Sequence, residues 1–326
     1  MITFRVDAAR LARTRFSLSR LAELSCALEV LAHPERAPYA RGWVARTRER
    51  LAPERVAALC ALIGHGGPYV PDFLCPVPRR YEPSLEEELA DVAAADPAVV
   101  AAQLGKALGE GPLPESVRAV LDAGGEVALA RRCAEQLRLA WEAGLRETWP
   151  AVRRILDEDV RHHTAGAGRG GFAGLVGGLH PSLDWDGEQV TMQHAAAFVV
   201  EDLADGLVLA PSAFLPRTAL WLGGAGGAMI GYPARGRGQV WVVPRPGAED
   251  AGVLGLRKAA LLSDLAVARS TTELARRHDL SPATVSYHLG RLHGAGLVAR
   301  RQDGHSVLYE RTSRAAALLT ALDAEG

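Results

Sequence analysis

The C-terminal part of the chain carries three local signals in close succession, and they constrain its fold more than any other feature. Ser270 can accept a hydrogen bond from the amide of Glu273 while Glu273 reaches back, a capping box that predicts a helix start. Ser281-Pro282 predicts the next start, because serine caps a helix and proline in its first position loses no hydrogen bond. Asp303-Gly304 predicts a hairpin turn. Short helices followed by a β-hairpin are therefore expected over residues 251–326.

Apolar residues around these signals repeat at helical spacing. They predict an amphipathic helix ending near Ala268, a short helix from Thr271 to about His278, and a second short helix after Ser281. Two short helices whose apolar faces oppose across a tight turn form a helix-turn-helix. The apolar positions of the three helices are, in order, Leu254, Leu256, Ala260, Leu261 and Leu265; Leu274, Ala275 and the following Leu280; and Val285, Leu289 and Leu292.

Two short strand-like runs, 297–301 and 306–310, follow these helices and are joined across residues 302–305. A pair of arginines, Arg300 and Arg301, comes just before the turn. A hairpin with this charge is a wing that can lie against the phosphate backbone beside the second helix. A last helix is predicted after the hairpin, and its apolar face carries Ala316, Leu319 and Leu322.

The charge of this region differs from that of the whole chain. The chain has a formal net charge of −1, which by itself indicates no nucleic-acid partner. Between Arg269 and Arg314, eight arginines stand against four acidic residues, a local net charge of about +4 (8 − 4). Phosphate contacts dominate the affinity of proteins for DNA, so the local excess indicates double-stranded DNA as a partner. The arginines are at 269, 276, 277, 291, 300, 301, 311 and 314, and the acidic residues are at 273, 279, 303 and 310.

On these residues the segment from Gly255 to Leu319 resembles the ArsR-type winged helix-turn-helix regulators. The motifs occur in the order T-x-E-L-A, L-S-x-x-x-V-S-x-H-L-x-x-L-x-x-A-G-L-V, and a D-G wing that ends in L-Y. The helical geometry agrees, because the face opposite the apolar residues of the second helix carries Thr284, Tyr287 and Arg291. The resemblance implies base-edge contacts from Ser281, Thr284, Ser286 and Tyr287, and backbone contacts from Arg291, Arg300, Arg301 and His305.

The chain departs from this family at the positions that bind metal. Metal-sensing members place cysteines on the first helix of the motif, or histidine and carboxylate pairs on the last helix. Residues 272–275 contain no cysteine and residues 312–326 contain no histidine. We therefore expect no metal and no cofactor, and regulation by a non-metal effector that the sequence does not identify. The cysteines lack CxxC spacing and are expected to be free core thiols in a reducing compartment; they are Cys26, Cys60, Cys75 and Cys133.

The rest of the chain predicts two further regions in an α+β protein. Residues 1–160 are expected to form a helical sensor or dimerisation region, with a break near Gly124-Gly125. Residues 161–250 are expected to be a small, irregular, β-containing region with a hairpin at Asp186-Gly187. A hinge is expected near Pro244–Asp250. Helical stripes come from Leu18, Leu21, Leu24, Leu28 and Leu31 and from Val56, Leu59, Cys60 and Ile63; strand-like runs are 206–210, 228–232 and 239–243.

Several patterns in these two regions have an ordinary structural interpretation beside a functional one. The G-x-G-x-x-G match at Gly166–Gly171 follows no buried strand, so a flexible loop is expected there. His162 and His163 point apart on a helix and have no third ligand at suitable spacing. Glu86–Glu88 are expected to be a solvated helix start. Ser212 lacks the G-x-S-x-G of a nucleophile elbow, and the tryptophans are expected in the core.

The leading hypothesis is a cytoplasmic homodimeric regulator, expected to be a repressor, on a pseudo-palindromic operator. The first and last helices of the winged region are expected to pair through Leu256, Leu261, Leu319 and Leu322. One alternative is an enzyme with residues 1–245 catalytic and the winged region a regulatory appendage, although no assembled catalytic residues support it. The other is a winged helix used only for protein contacts. Such a wing does not need Arg300 and Arg301 beside its turn, so charge distinguishes the two uses. The first residues show no secretory signal, and no run is long enough to span a membrane.

Overall fold

A computed structural model describes residues 1–63, 69–109, 111–201, 203–223, 227–241, 256–303 and 306–324. The chain forms two compact units, residues 1–235 and residues 236–326. The architecture is α+β as predicted, with helices preceding small mixed sheets and a helix-turn-helix at the C-terminus. The proposed division at residues 160 and 250 stays a prediction, and the hinge at Pro244–Asp250 lies outside the described residues. No helix in the described ranges combines the length and apolar character that crossing a bilayer requires.

Capping side chains set the helix starts of the first unit. The first predicted stripe forms a helix, but it begins at Arg20 because the Ser19 hydroxyl accepts the amide of Ala22 at 2.9 Å. The second stripe is also helical, although Cys60 on it is exposed and not in the core as expected. The helices are α1 (Ala8–Arg13), α2 (Arg20–Ala32), α3 (Arg41–Arg50), α4 (Ala57–Ile63), α5 (Leu85–Ala93), α6 (Pro97–Leu108), α7 (Glu115–Ala140) and α8 (Trp149–Leu179).

The segment 166–171 was expected to form a flexible loop, and that prediction is wrong. It lies within α8, which Gly171 divides with a φ of 61°. Burial explains the helix, because Leu175, Val176 and Leu179 pack into the core after the kink. The break predicted near Gly124-Gly125 is confirmed as a kink in α7.

The strands of the first unit form two four-stranded sheets. The Asp186-Gly187 hairpin is confirmed, since it joins two antiparallel strands. The N-terminal strand Ile2–Arg5, in a region expected to be helical, pairs with strands more than 180 residues away along the sequence. The strands are β1 (Ile2–Arg5), β2 (Arg15–Phe16), β3 (Leu183–Trp185), β4 (Gln189–Met192), β5 (Phe198–Val200), β6 (Leu207–Ser212), β7 (Ala219–Leu222) and β8 (Ala228–Pro233), in the orders β3-β4-β1-β5 and β2-β6-β8-β7.

The two sheets share one core with the end of α8. Phe4, Met192, Ile230 and Tyr232 are fully buried within it. The last predicted strand, 239–243, is not formed over its described residues. Arg237–Trp241 is a 3-10 turn instead, because Gly236, with a φ of 73°, turns the chain away after β8.

The second unit contains the predicted helix-turn-helix and wing. Its core is a separate cluster that includes Leu261, Leu274, Val285 and Leu289. A short strand, which the sequence did not indicate, adds a third member to the wing sheet in the order β10-β11-β9. The elements are α9 (Leu256–Asp264), β9 (Arg269–Ser270), α10 (Thr271–His278), α11 (Pro282–Gly294), β10 (Val298–Asp303), β11 (Ser306–Arg311) and α12 (Ser313–Ala324).

Candidate nucleic-acid interface

Helix α11 begins as the sequence predicts. Ser281 is its N-cap and accepts the amide of Thr284 at 3.0 Å, with Pro282 in the first turn. The preceding helix ends at Asp279, whose left-handed φ of 53° closes α10 and starts the turn. These local bonds fix the angle at which α11 leaves α10, so the whole helix is a rigid platform for its side chains.

The two sides of α11 differ sharply in exposure. Val285 and Leu289 are fully buried, whereas Tyr287 is 62 % exposed. Ser286 and Arg291 are exposed too. Helical geometry puts Tyr287 opposite the buried stripe. This exposed face can therefore enter the major groove of DNA, which is wide enough to admit an α-helix.

Two of the residues implied as base contacts are already engaged within the protein. The hydroxyls of Ser281 and Thr284 lie 2.8 Å apart, and Thr284 is half-buried. Ser281 therefore acts first as a helix cap. Ser281 is exposed as well, but its hydroxyl is bonded to Thr284, so Ser286 and Tyr287 are the exposed members of the set that serve no cap.

Asp264 at the end of α9 gathers several basic side chains of the second unit. Its carboxylate accepts the guanidinium of Arg277 at 2.7 and 3.0 Å, and Arg269 Nε lies 3.3 Å away. His278 Nε2 is 3.2 Å from the same carboxylate. Burial would raise the pKa of Asp264, but the bonds and charge of Arg277, with the charges of Arg269 and His278, hold it below its usual value.

The capping box predicted at Ser270 forms only in part. Ser270 accepts the amide of Glu273 at 3.2 Å. The Glu273 carboxylate, however, pairs with the Arg269 guanidinium and does not reach back to the cap. A neighbouring charge was available to Glu273, and an ion pair replaced the second half of the box.

These ion pairs change how the local positive charge is distributed. Arg269 and Arg277, two of the eight arginines, are paired with Asp264 and Glu273, so their charge is already balanced within the protein. Within the described part of the chain, the exposed arginines of this region that make no ion pair are Arg276, Arg291, Arg300, Arg301 and Arg314. The positive surface is therefore narrower than the sequence count indicates and centres on α11 and the wing.

The wing is a regular antiparallel hairpin. Arg300 pairs with Tyr309 and Arg301 with Leu308 across the two strands. Successive residues of a strand point to opposite faces, so the two exposed arginines project from opposite sides of the wing. His305, the remaining implied backbone contact, lies outside the described residues.

The dimer contacts predicted for the winged region need correction. Leu261, expected on the surface, is fully buried in the core of the unit. Leu319 is partly buried against the same core. The side chains of Leu256 and Leu322 lie outside the described residues. The apolar spacing of the first and last helices thus serves packing inside the unit at Leu261 and Leu319.

Candidate residues in the first unit are mostly structural. His163 is buried beside Asp159, with Nε2 and Oδ1 3.4 Å apart. Asp159, which sequence reasoning missed, also accepts the Tyr232 hydroxyl at 2.8 Å and the Arg235 amide at 2.8 Å. In the described ranges, no group of three or more His, Cys, Asp or Glu side chains is arranged to hold a metal ion.

One of the three clustered glutamates is not a solvated residue. Glu88 is buried and accepts the amides of Arg20 and Leu21 at 3.0 and 3.2 Å. Its neighbours Glu86 and Glu87 are exposed as predicted. Glu88 therefore binds the start of α2, and no local signal in the sequence distinguishes it from the two glutamates before it.

Comparisons with known proteins give two partial matches. Residues 1–108 match a family of unknown function, DUF5937, and residues 259–301 match a helix-turn-helix domain family. No curated protein and no solved structure matches the chain significantly. The second match covers α10, α11 and most of the first wing strand, which is the region that the exposed helix face and the arginines had already indicated. The C-terminal unit therefore contains a helix-turn-helix domain of the kind that DNA-binding regulators carry.

Proposed function

We propose that the chain is a transcriptional regulator of the ArsR type, which binds a pseudo-palindromic operator as a homodimer. The observation that carries this proposal is the outward face of α11, where Tyr287 is exposed opposite a fully buried stripe. The unpaired arginines near it supply phosphate contacts, and the face supplies contacts to base edges. A helix-turn-helix dimer with two-fold symmetry requires two half-sites about one helical turn apart.

The first unit has the regulatory role in this proposal, in a cytoplasmic protein with no catalytic activity of its own. Its effector is a small molecule and not a metal ion. Support comes from the motif positions that bind metal in related regulators, which lack cysteine and histidine here. Treatment of the purified chain with a chelator should therefore leave operator affinity unchanged. Stoichiometric zinc or nickel, whose removal abolishes DNA control, would contradict this expectation.

Selection from random duplexes by the full-length chain tests the proposal directly. The expected result is an enriched motif of two inverted half-sites, bound at least about a thousandfold more tightly than unrelated duplex at physiological salt. Sedimentation of the complex should give two chains per duplex. An affinity that is the same for all duplexes, or no binding at all, would favour the use of the winged helix for protein contacts.

A further inference from the structure

A groove in the first unit has the volume of a small-molecule site and a lining that is half charged and half apolar. Its volume is about 370 Å³, and it runs between the end of α3 and the junction of α7 with α8. Its lining includes two leucines, Leu51 and Leu139, together with charged residues of both signs. Volumes of this size hold small ligands in many proteins.

A π-helical turn forms one wall of the groove. Residues 141–145 form this turn, in which the amide of Arg146 donates to the carbonyl of Trp141 at 2.9 Å. Such turns are rare and frequently occur at functional sites. The Trp43 indole donates to the Gly144 carbonyl at 2.7 Å, and a Cβ on Gly144 would lie 3.3 Å from that ring. Trp43 therefore anchors this wall of the groove, and its fluorescence can detect a change there.

One arginine of the groove lining, Arg55, has no ion-pair partner among the described residues. Glu147 pairs with Arg50 at 2.7 Å, and Glu142 pairs with Arg146 at 2.6 Å. Arg55 is exposed in the lining, and its guanidinium makes no hydrogen bond or ion pair with another described residue. When Arg146 is counted with the lining, three arginines stand against two glutamates, so a ligand meets a net charge of about +1 and a metal cation is disfavoured.

The apolar floor defines the other half of the ligand. Leu139 is half-buried whereas Leu51 is only 6 % exposed, so an apolar body in the groove can displace water mainly from Leu139. Inorganic anions gain nothing from this surface. A molecule with one carboxylate on a short apolar chain matches both features, because its charge reaches Arg55 while its chain covers the leucines.

We propose that this groove binds a small carboxylate with a short apolar body, with Arg55 as the anion contact. The proposal for binding stands independently of DNA recognition. Its extension, that such a ligand is the effector that changes DNA affinity, rests on the proposed function.

Calorimetry on the full chain with matched probes tests the binding. Hexanoate is the probe, hexanamide has the same body without the charge, and acetate has the charge without the body. Hexanoate should bind with a Kd of roughly 1 mM, as expected for so few atoms, and change the tryptophan emission. Hexanamide and acetate should each bind at least about tenfold more weakly, which is the factor for losing one favourable contact.

Two arginine variants separate a specific site from general surface binding. Arg55→Gln should weaken hexanoate binding at least about tenfold while leaving the unfolding temperature unchanged, since the Arg55 guanidinium makes no hydrogen bond or ion pair with a described residue. Arg118→Gln, on the exposed face of α7, is the matched control and should leave the affinity unchanged. Equal affinity for hexanoate and hexanamide, equal loss in both variants, or no hexanoate binding would overturn the site.

Repeating the DNA titration with hexanoate tests the effector role. Wild-type affinity for the selected duplex should change severalfold, and the Arg55→Gln chain should not respond. An unchanged affinity despite measured hexanoate binding would overturn the effector role and leave the site intact. Failure of the chain to select any duplex would instead overturn the proposed function, while the calorimetry still decides on the groove.

Discussion

Ser281 caps α11 and Tyr287 lies within it, and the two side chains have different roles. The Ser281 hydroxyl is bonded to the amide of Thr284 at 3.0 Å and stabilises the helix. Tyr287 contacts the ring of His288 at 5.5 Å between centroids and otherwise extends toward solvent. Ser281 therefore stabilises the helix start, and Tyr287 is exposed for contact with a partner.

Replacing Tyr287 by alanine should change the sequence preference of the protein without unfolding it. The side chain is 62 % exposed, so its removal leaves no cavity in the core. Each good base contact gives about 1–3 kcal/mol of discrimination, so preference at one or two base pairs should fall by roughly that amount. Selection from random duplexes and thermal unfolding measure the two effects separately. A variant that unfolds but keeps its preference in the folded fraction would assign Tyr287 to the core.

Replacing Ser281 by alanine should instead lower stability. Loss of an N-cap hydroxyl costs about 1 kcal/mol because the amide of Thr284 loses its partner. Ser281→Asp should keep most of that stability, because aspartate also caps helices. Ser286→Ala is the matched control, since Ser286 is an exposed serine of the same helix. Urea unfolding of the full chain, followed through the C-terminal unit by hydrogen exchange, distinguishes these variants; equal stability of the two alanine variants would argue against the capping role.

At the scale of elements, the wing depends on strand alternation. Arg300 and Arg301 are neighbours in sequence, but the pleat sends them to opposite sides of the hairpin. Two guanidinium groups on opposite sides can reach two different phosphates. The wing is therefore suited to contacts that position the protein and carry no sequence information.

Changing both wing arginines to alanine should weaken binding to every duplex by a similar factor. Each lost phosphate contact lowers the slope of log affinity against log salt by about 0.9, so the double variant should lose about two units and each single variant about one. Anisotropy titrations over a salt series measure the slope. Arg118→Ala, in the first unit, should leave it unchanged. A loss confined to one sequence, at constant slope, would show that the wing reads bases.

Helix α8 shows how an element can form against its local preferences. Its glycine content alone favours a loop, because glycine costs up to about 1 kcal/mol per residue in a helix. The apolar residues after the kink are buried between two sheets, and that burial outweighs the cost.

At the scale of the whole molecule, buried carboxyl groups connect elements that are far apart in sequence. Glu88 joins α5 to the start of α2. Glu23, on α2, accepts the amide of Ala213 at 2.9 Å, beyond the end of β6. Burial, which outweighs the hydrogen bonds that each receives, raises the pKa of both groups to about 7.

The first unit should therefore become less stable as pH rises from about 4.5 to about 7. In that interval the folded state holds protons on Glu23 and Glu88 that the unfolded chain has lost. Each group contributes up to about 3 kcal/mol, fully present below pH 4.5 and lost as pH passes 7. Denaturant unfolding at several pH values, followed by tryptophan emission, measures the slope.

Two glutamine variants isolate the contribution of the buried groups. Glu23→Gln keeps an acceptor for Ala213 and should flatten the pH dependence between 5 and 7. Glu86→Gln is the control, because Glu86 is exposed and Arg138 holds its pKa below the usual range. The control should change nothing in this interval. A wild-type slope that survives Glu23→Gln and Glu88→Gln together would contradict the prediction.

The sequence by itself determined the features that arise within a few residues. The Ser281-Pro282 helix start and the Asp186-Gly187 hairpin both depend on hydrogen bonds between near neighbours in sequence. The apolar spacing of α11 also predicted its buried and exposed sides correctly. The α+β class and the helix-turn-helix followed from these local features, because each restricts the backbone before any distant contact forms.

Only the tertiary structure decided which side chains remain free to act. In the sequence Glu88 is indistinguishable from Glu86 and Glu87, but in the fold it is buried against the start of α2. Arg277 adds one positive charge to the sequence count, but in the fold it pairs with Asp264. The N-terminal segment likewise forms strand β1 because it pairs with β4 and β5, which are distant in sequence. Burial and ion pairing depend on residues that are distant in sequence and adjacent in space, so no local pattern in the sequence encodes them.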